Sequence, residues 1–179
     1  MNVANLITVS RIFLAPLVVW LLIINEYRLT LIVFCVASAS DALDGWLARI
    51  TNTKTDLGAH LDPLADKLLL VSTYATLGVS KLIPTWLVIT VISRDVLILG
   101  GLALARFMAK PIAVRPLMIS KANTLAQILF LILALVQLAF AAVSFNVMWF
   151  AAFAVAILTV ASGLAYLRNW FSHMTGDDA

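Results

Sequence analysis

Six apolar runs dominate this chain, at 7–24, 29–50, 57–79, 84–107, 122–142 and 147–167, with only short polar breaks between them. Each is about as long as a helix must be to cross a bilayer core, roughly 20 residues. The expected fold is therefore all-α: a polytopic integral membrane protein with six transmembrane helices. Composition agrees. The 179 residues are 63% hydrophobic and 12% charged, whereas a soluble domain is about half apolar and a quarter charged. An ordinary soluble domain is excluded. No internal repeat, low-complexity stretch or second domain interrupts the pattern, so 1–179 is read as a single membrane domain. The first run contains Arg11 and Pro16 and lacks a small-residue cleavage site, so it is read as a retained helix. The lone cysteine, Cys35, excludes an intramolecular disulfide and a cysteine-based metal cluster, and is read as a packing residue. The polar tail at 172–179 is expected to be mobile.

The breaks are NEYR at 25–28, TNTKTD at 51–56, SKLIP at 80–84, AKPIAVRP at 109–116 and SFN at 144–146. Six spans place both termini on one face, together with the 51–56 and 109–121 connections. Arg11, Arg49, Lys54, Lys67, Arg106, Lys110, Arg115, Lys121 and Arg168 lie on or near that face. Arg28 and Lys81 lie on the other, and Arg94 is mid-span. Positive charge concentrates on the cytoplasmic side of membrane proteins, so the basic face is expected in the cytoplasm, as in a bacterial inner membrane. The net charge of +3 gives no reason to expect a nucleic-acid partner. Trp20, Tyr27, Trp86, Trp149, Tyr166 and Trp170 fall near span ends and are read as an interfacial belt.

Four aspartates, Asp41, Asp44, Asp62 and Asp66, interrupt the apolar sequence around the second break. Ionised carboxylates in such surroundings are costly unless something positive holds them. At about 100° per residue, Asp41, Asp44, Gly45 and Ala48 share one face of the second helix. Asp62 and Asp66, four apart, share one face of the third. A short connection makes these helices antiparallel neighbours, so the carboxylates are expected to converge near the cytoplasmic boundary. Repulsion among them would raise some pKa values sharply unless cations neutralised them. All-oxygen ligation suits Mg²⁺ or Mn²⁺ rather than zinc, and a cluster of this size suits two ions. Gly45, Ala48, Gly58 and Ala59 would let a flat nucleotide approach the backbone. Glycine content alone equally allows close helix packing. Arg49 suits a phosphate or a ligating carboxylate. Pro63 inside the third helix is expected to kink it.

The pattern D-x2-D-G-x2-A-R-x8-G-x3-D-x3-D, filled by Asp41, Asp44, Gly45, Ala48, Arg49, Gly58, Asp62 and Asp66, resembles the signature of the CDP-alcohol phosphatidyltransferases. NLITVSRIFLAP near the N-terminus resembles the N-x2-T-x2-R-x4-P stretch of the same enzymes. The resemblance implies transfer of a phosphatidyl group from CDP-diacylglycerol to an alcohol, with release of CMP. It implies Asp41, Asp44 and Asp62 as metal ligands, and Asp66 as general base that also touches a metal. It implies Gly45, Ala48, Arg49 and Gly58 in the cytidine-diphosphate pocket, Asn5, Thr8 and Arg11 near the donor phosphates, and a homodimer. For Arg11 alone, an interfacial arginine reaching the headgroups is as good a reading.

Arg94 and Asp95 sit deep in the fourth span, where a charge reads as functional or paired. Asp95 is either the local partner of Arg94, or each faces a different neighbour. Arg94, Arg115 and Lys121 are candidates to hold the phosphate of an anionic acceptor, with positive-inside anchoring the plainer reading of Arg115 and Lys121. His60 reads as packing, and His173 as inert. LGAHLDPLADKLLL, IPTWLVITVISRDVLI and RPLMISKANTLAQ resemble stretches of the CMP-forming cardiolipin synthases, whose acceptor is phosphatidylglycerol. The related phosphatidylglycerophosphate synthases, which use glycerol 3-phosphate, more often have ARE where this chain has Ser93, Arg94 and Asp95. The expected acceptor is phosphatidylglycerol, giving cardiolipin, with glycerol 3-phosphate the alternative. A small divalent-cation transporter is the reading from a different class; it leaves the Gly-Ala-Arg positions between the carboxylates unexplained.

Overall fold

The computed structural model describes the backbone at 3–51, 56–107 and 118–175, and side chains at 13–40, 67–101 and 118–170. Among the described residues every regular element is a helix: α1 (Val3–Ile23), α2 (Tyr27–Thr51), α3 (Asp56–Val79), α4 (Thr85–Phe107), α5 (Met118–Phe140) and α6 (Phe145–Thr175). The six apolar runs all become helices. Two of them, Met118–Phe140 and Phe145–Trp170, are long and apolar enough along their described residues to cross a membrane.

The ends differ from expectation in ways the local chemistry explains. α1 starts at Val3, so Asn5, Thr8 and Arg11 are helical. α5 starts at Met118, two residues after Pro116, rather than at 122; Lys121 thus belongs to its first turn. α6 continues to Thr175, so residues 172–175 are helix and not tail. No glycine or proline follows Gly163 until Gly176, so nothing in LAYLRNWFSHMT stops the helix. α3 is helical through Pro63.

The chain forms two compact units. The first is 1–83 with 131–144. In it α1 packs along both α3 and α2. Ala15, Val18 and Leu22 form a buried stripe on α1, matched by Thr30, Phe34 and Ala37 on α2 and Leu70, Thr73, Tyr74 and Leu77 on α3. These are the three- and four-residue spacings of helices packed along their length. The outward faces are no less apolar: Phe13 is 70% exposed, and Ile32 and Val36 are also exposed. The buried threonines satisfy themselves locally. Thr30 Oγ1 donates to the Glu26 carbonyl at 2.8 Å, and Thr73 Oγ1 to the Leu69 carbonyl at 2.7 Å. Hydrocarbon outside with hydroxyls inside is the distribution expected of helices whose solvent is lipid.

Two connections in this unit close in the same way. After α1, Glu26 N–H donates to Leu21 O at 2.9 Å and Asn25 N–H to Leu22 O at 3.1 Å. After α3, Leu82 N–H donates to Leu77 O at 2.9 Å and Lys81 N–H to Gly78 O at 3.0 Å. Both are Schellman caps, which need a left-handed residue. Asn25 (φ 62°) and Lys81 (φ 57°) fill that place. After α5, Ala141 has φ 50°, and Gln137 Oε1 accepts from Val143 N–H at 2.7 Å.

The second unit is 84–130 with 145–179. α4 packs against α6 there. α6 buries Ala152, Val155, Thr159, Ser162 and Tyr166, alternating three- and four-residue steps. Trp86 of α4 stacks on Phe153 (centroids 5.2 Å apart) and Trp149 (6.3 Å) of α6. Tyr166 is a packing residue, not an interfacial one: it is buried, and its hydroxyl donates to Ile98 O at 3.3 Å. Trp170 Nε1 donates to Gly101 O at 3.2 Å. A Cβ on Gly101 would lie 3.1 Å from the Tyr166 ring, whereas one on Gly100 would meet nothing within 4 Å.

Two stability predictions follow from this geometry, both read by thermal unfolding of the purified protein in detergent. Lys81→Gly should stabilise by about 1 kcal/mol, since it removes the left-handed penalty of a side chain. Asn25→Gly should gain less, because asparagine tolerates this region and Asn25 Oδ1 accepts from the Tyr27 hydroxyl at 2.6 Å. Gly101→Ala should destabilise by about 1 kcal/mol by displacing a buried ring, while Gly100→Ala should be neutral or mildly stabilising.

Candidate active site

The four aspartates fall on consecutive helices of the first unit: Asp41 and Asp44 on α2, Asp62 and Asp66 on α3. At 1.5 Å rise per residue, Asp44 and Asp41 stand about 10 and 15 Å from the end of α2. Asp62 and Asp66 stand about 9 and 15 Å from the start of α3. Counted along its own helix, each pair is thus about equally far from the 52–55 connection, which lies outside the described residues. Their spacings of three and four keep each pair on one face of its own helix. Gly45, Ala48 and Arg49 follow on α2, and Gly58 and His60 precede Asp62 on α3. α1, which packs against both helices, places Asn5, Thr8 and Arg11 within about 12 Å of its own start. The side chains of all these residues lie outside the described residues, as does Arg115 altogether. No group of three metal-ligating side chains occurs among the described residues.

As a donor set, the four carboxylates fit a hard divalent cation. They are all-oxygen and multiply anionic, with one pair on each of two successive helices. Asp41, Asp44, Asp62 and Asp66 are the residues that would hold it.

The second unit contains a polar centre that the sequence only half discloses. Arg94 and Asp95 are both buried, at 5% and 3% exposure. Arg94 Nη1 pairs with Asp95 Oδ1 at 2.8 Å, so the two neighbours in sequence are partners in space. Arg94 Nη2 donates to Ser120 Oγ of α5 at 2.6 Å and to Ser162 Oγ of α6 at 2.6 Å. Gly163 leaves room for the arginine stem, whose Cγ lies 3.6 Å from where its Cβ would stand. One turn deeper, Thr159 Oγ1 donates to Asn123 Oδ1 at 2.9 Å and accepts from Gln127 Nε2 at 3.5 Å. Ser162 and Thr159 carry no charge and sit in an apolar run. Their three-residue spacing on α6 was the signal available for them. Lys121, next to Ser120, is exposed.

Comparison with known proteins agrees with the aspartate pattern. The family described as CDP-alcohol phosphatidyltransferase matches residues 1–165. The chain is 34% identical over 144 residues to the human cardiolipin synthase (CMP-forming), covering 72% of this chain and 48% of that protein. It is 34% identical over 186 residues to the Bacillus subtilis CDP-diacylglycerol–glycerol-3-phosphate 3-phosphatidyltransferase, covering 94% of this chain and 95% of that one. A rice chloroplast enzyme of the latter name is 32% identical over 76% of this chain and 47% of its own length. The chain thus spans about half the length of the human and rice relatives. With the signature complete on α2 and α3 and the family match running through all six helices, the chain belongs to the CDP-alcohol phosphatidyltransferases.

Proposed function

We propose that this protein transfers a phosphatidyl group from CDP-diacylglycerol to a glycerol-containing acceptor and releases CMP. The observation that carries the reading is the complete eight-position signature, with one aspartate pair on α2 and the other on α3. Asp41, Asp44 and Asp62, with Asp66 beside them, hold two Mg²⁺ or Mn²⁺ ions. Bound there, the ions supply positive charge to the pyrophosphate and to the departing CMP. Asp66 takes the proton from the acceptor's primary hydroxyl as its oxygen attacks the lipid-bearing phosphorus. The bond from that phosphorus to the CMP oxygen breaks, so a single displacement completes the transfer. Gly45, Ala48 and Gly58 leave room for the cytidine diphosphate. Arg49 and Asn5, Thr8 and Arg11 of α1 are the residues assigned to the donor phosphates in this reading. All six helices cross the membrane of a bacterial inner-membrane type, with the site at the cytoplasmic face, and the protein works as a homodimer.

Phosphatidylglycerol is the acceptor we propose, giving cardiolipin. The ISRD and ISK-x-NT stretches and the likeness to a human enzyme named cardiolipin synthase support it. Glycerol 3-phosphate is the second reading, favoured by end-to-end similarity to the Bacillus subtilis enzyme named for that acceptor. Lys121, exposed in the first turn of α5, and Arg115 offer charge for the acceptor's phosphate in either case. Arg94 is buried and donates to Ser120, which precedes Lys121 in the sequence.

Purified protein given labelled CDP-diacylglycerol and Mg²⁺ or Mn²⁺ should release CMP only with an acceptor present. Offering phosphatidylglycerol and glycerol 3-phosphate separately, and identifying the lipid product, decides between the two. Chelation of divalent cations should abolish turnover. Asp44→Ala should lower kcat at least a hundredfold, and Asp66→Asn should do the same with little change in donor binding. Full activity in Asp66→Asn would remove the general-base assignment.

A further inference from the structure

We infer that Arg94 is a positioning residue for the acceptor site: with Asp95, Ser120 and Ser162 it fixes the first turn of α5, and through it Lys121, without itself gripping the acceptor. The inference rests on the reading of Lys121 given above.

The guanidinium's own bonds argue against a phosphate grip. Arginine holds a phosphate best through two parallel N–H groups, on either its Nε/Nη2 edge or its Nη1/Nη2 edge. Both edges require a hydrogen of Nη2. Nη2 has two hydrogens and two hydroxyl acceptors, Ser120 Oγ and Ser162 Oγ, each at 2.6 Å. Nη1 is taken up with Asp95 at 2.8 Å, which already balances the charge. Neither edge is open, and the side chain is only 4% exposed.

The same bonds tie down the element that presents Lys121. Ser120 is the third residue of α5, and Lys121 the fourth. The bond to Ser120 joins this turn to α4, and the bond to Ser162 joins the same guanidinium to α6. Three residues on from Ser120, Asn123 accepts from Thr159 at 2.9 Å, which repeats the tie to α6 one turn further in. Ser120 and Asn123 share the inward face of α5, and Lys121, about 100° round from Ser120, is turned outward. Two successive ties thus set the rotation of the first turns of α5. A lysine has a long, flexible stem, so the place of its ammonium depends on that rotation being held.

The test uses the full-length protein and steady-state kinetics, varying donor and acceptor in turn. Arg94→Ala would leave Asp95 without its buried cation, so the hydroxyl partners are changed instead. Ser120→Ala and Ser162→Ala should each raise the acceptor KM about three- to tenfold, the range of one hydrogen bond to a charged group. The KM for CDP-diacylglycerol and kcat should stay within about twofold. Ser162→Thr, which keeps the hydroxyl, should restore the acceptor KM. Because the effect runs through Lys121, Ser162→Ala combined with Lys121→Ala should be no worse for the acceptor than Lys121→Ala alone.

Additive effects in that pair would overturn the inference. So would an acceptor KM that is unchanged or lowered by Ser120→Ala and Ser162→Ala, as expected if freeing the guanidinium improved a direct grip. A parallel loss of kcat, both KM values and thermal stability would show a merely structural network and overturn it too, as would a Lys121→Ala variant with normal acceptor KM. Wild-type protein that releases CMP with neither acceptor would remove the functional reading and this inference together. An active wild type with additive variants removes the inference alone.

Discussion

The second unit is held by hydrogen bonds as much as by hydrocarbon, and Arg94 is their centre. A buried guanidinium left bare costs several kcal/mol, so its partners are obligatory wherever helices close over it. Here the partners come from three helices: Asp95 on α4 itself, Ser120 on α5 and Ser162 on α6. The Asn123–Thr159–Gln127 chain repeats the arrangement one turn away. Apolar contacts alone would let these helices slide or rotate at little penalty, because lipid tails are as apolar as the side chains they replace. Directed bonds remove that freedom, and with it go alternative registers of α5 and α6.

The first unit solves the same problem differently. Its two buried threonines turn back onto carbonyls four residues earlier, Thr30 to Glu26 and Thr73 to Leu69, so these two hydroxyls add no bond between helices. Association there rests on the interleaved stripes of α1, α2 and α3 and on tight caps at their ends. One unit presents the aspartate-bearing helices, and the other presents the first turn of α5. Each reaches its rigidity by its own means.

Much of this was legible in the sequence because the membrane leaves few choices. A long apolar run becomes a helix, and a short polar break becomes a turn. Helix ends were harder. Met118 and Ser120 look like connection by composition, yet nothing after Pro116 prevents a helix from starting, and α5 does start there. Likewise the polar 172–175 stretch reads as tail, but it lacks a breaker and stays helical. The aspartate signature was visible because carboxylates stand out against leucine and alanine. Arg94 stood out for the same reason. Its serine partners did not, since a hydroxyl can bond its own backbone in any helix and leaves no mark showing when it has reached across to another.

Arg94 and Asp95 are adjacent, and in the six-span arrangement proposed above this bears on how the chain gets into a membrane at all. Neighbouring residues on a helix normally diverge, but the arginine stem is long enough to bring Nη1 back to Asp95. The pair is therefore made within α4 and requires nothing from α5 or α6. A nascent α4 leaving the insertion machinery before its later partners are synthesised can enter the bilayer with a net charge of zero at its middle. The serines are needed only afterwards, to accept from Nη2 as the later helices dock. An ion pair split between α4 and a later helix would instead expose α4 to lipid as a bare cation during the interval. Placing both charges on one helix makes insertion independent of the order in which the bundle closes.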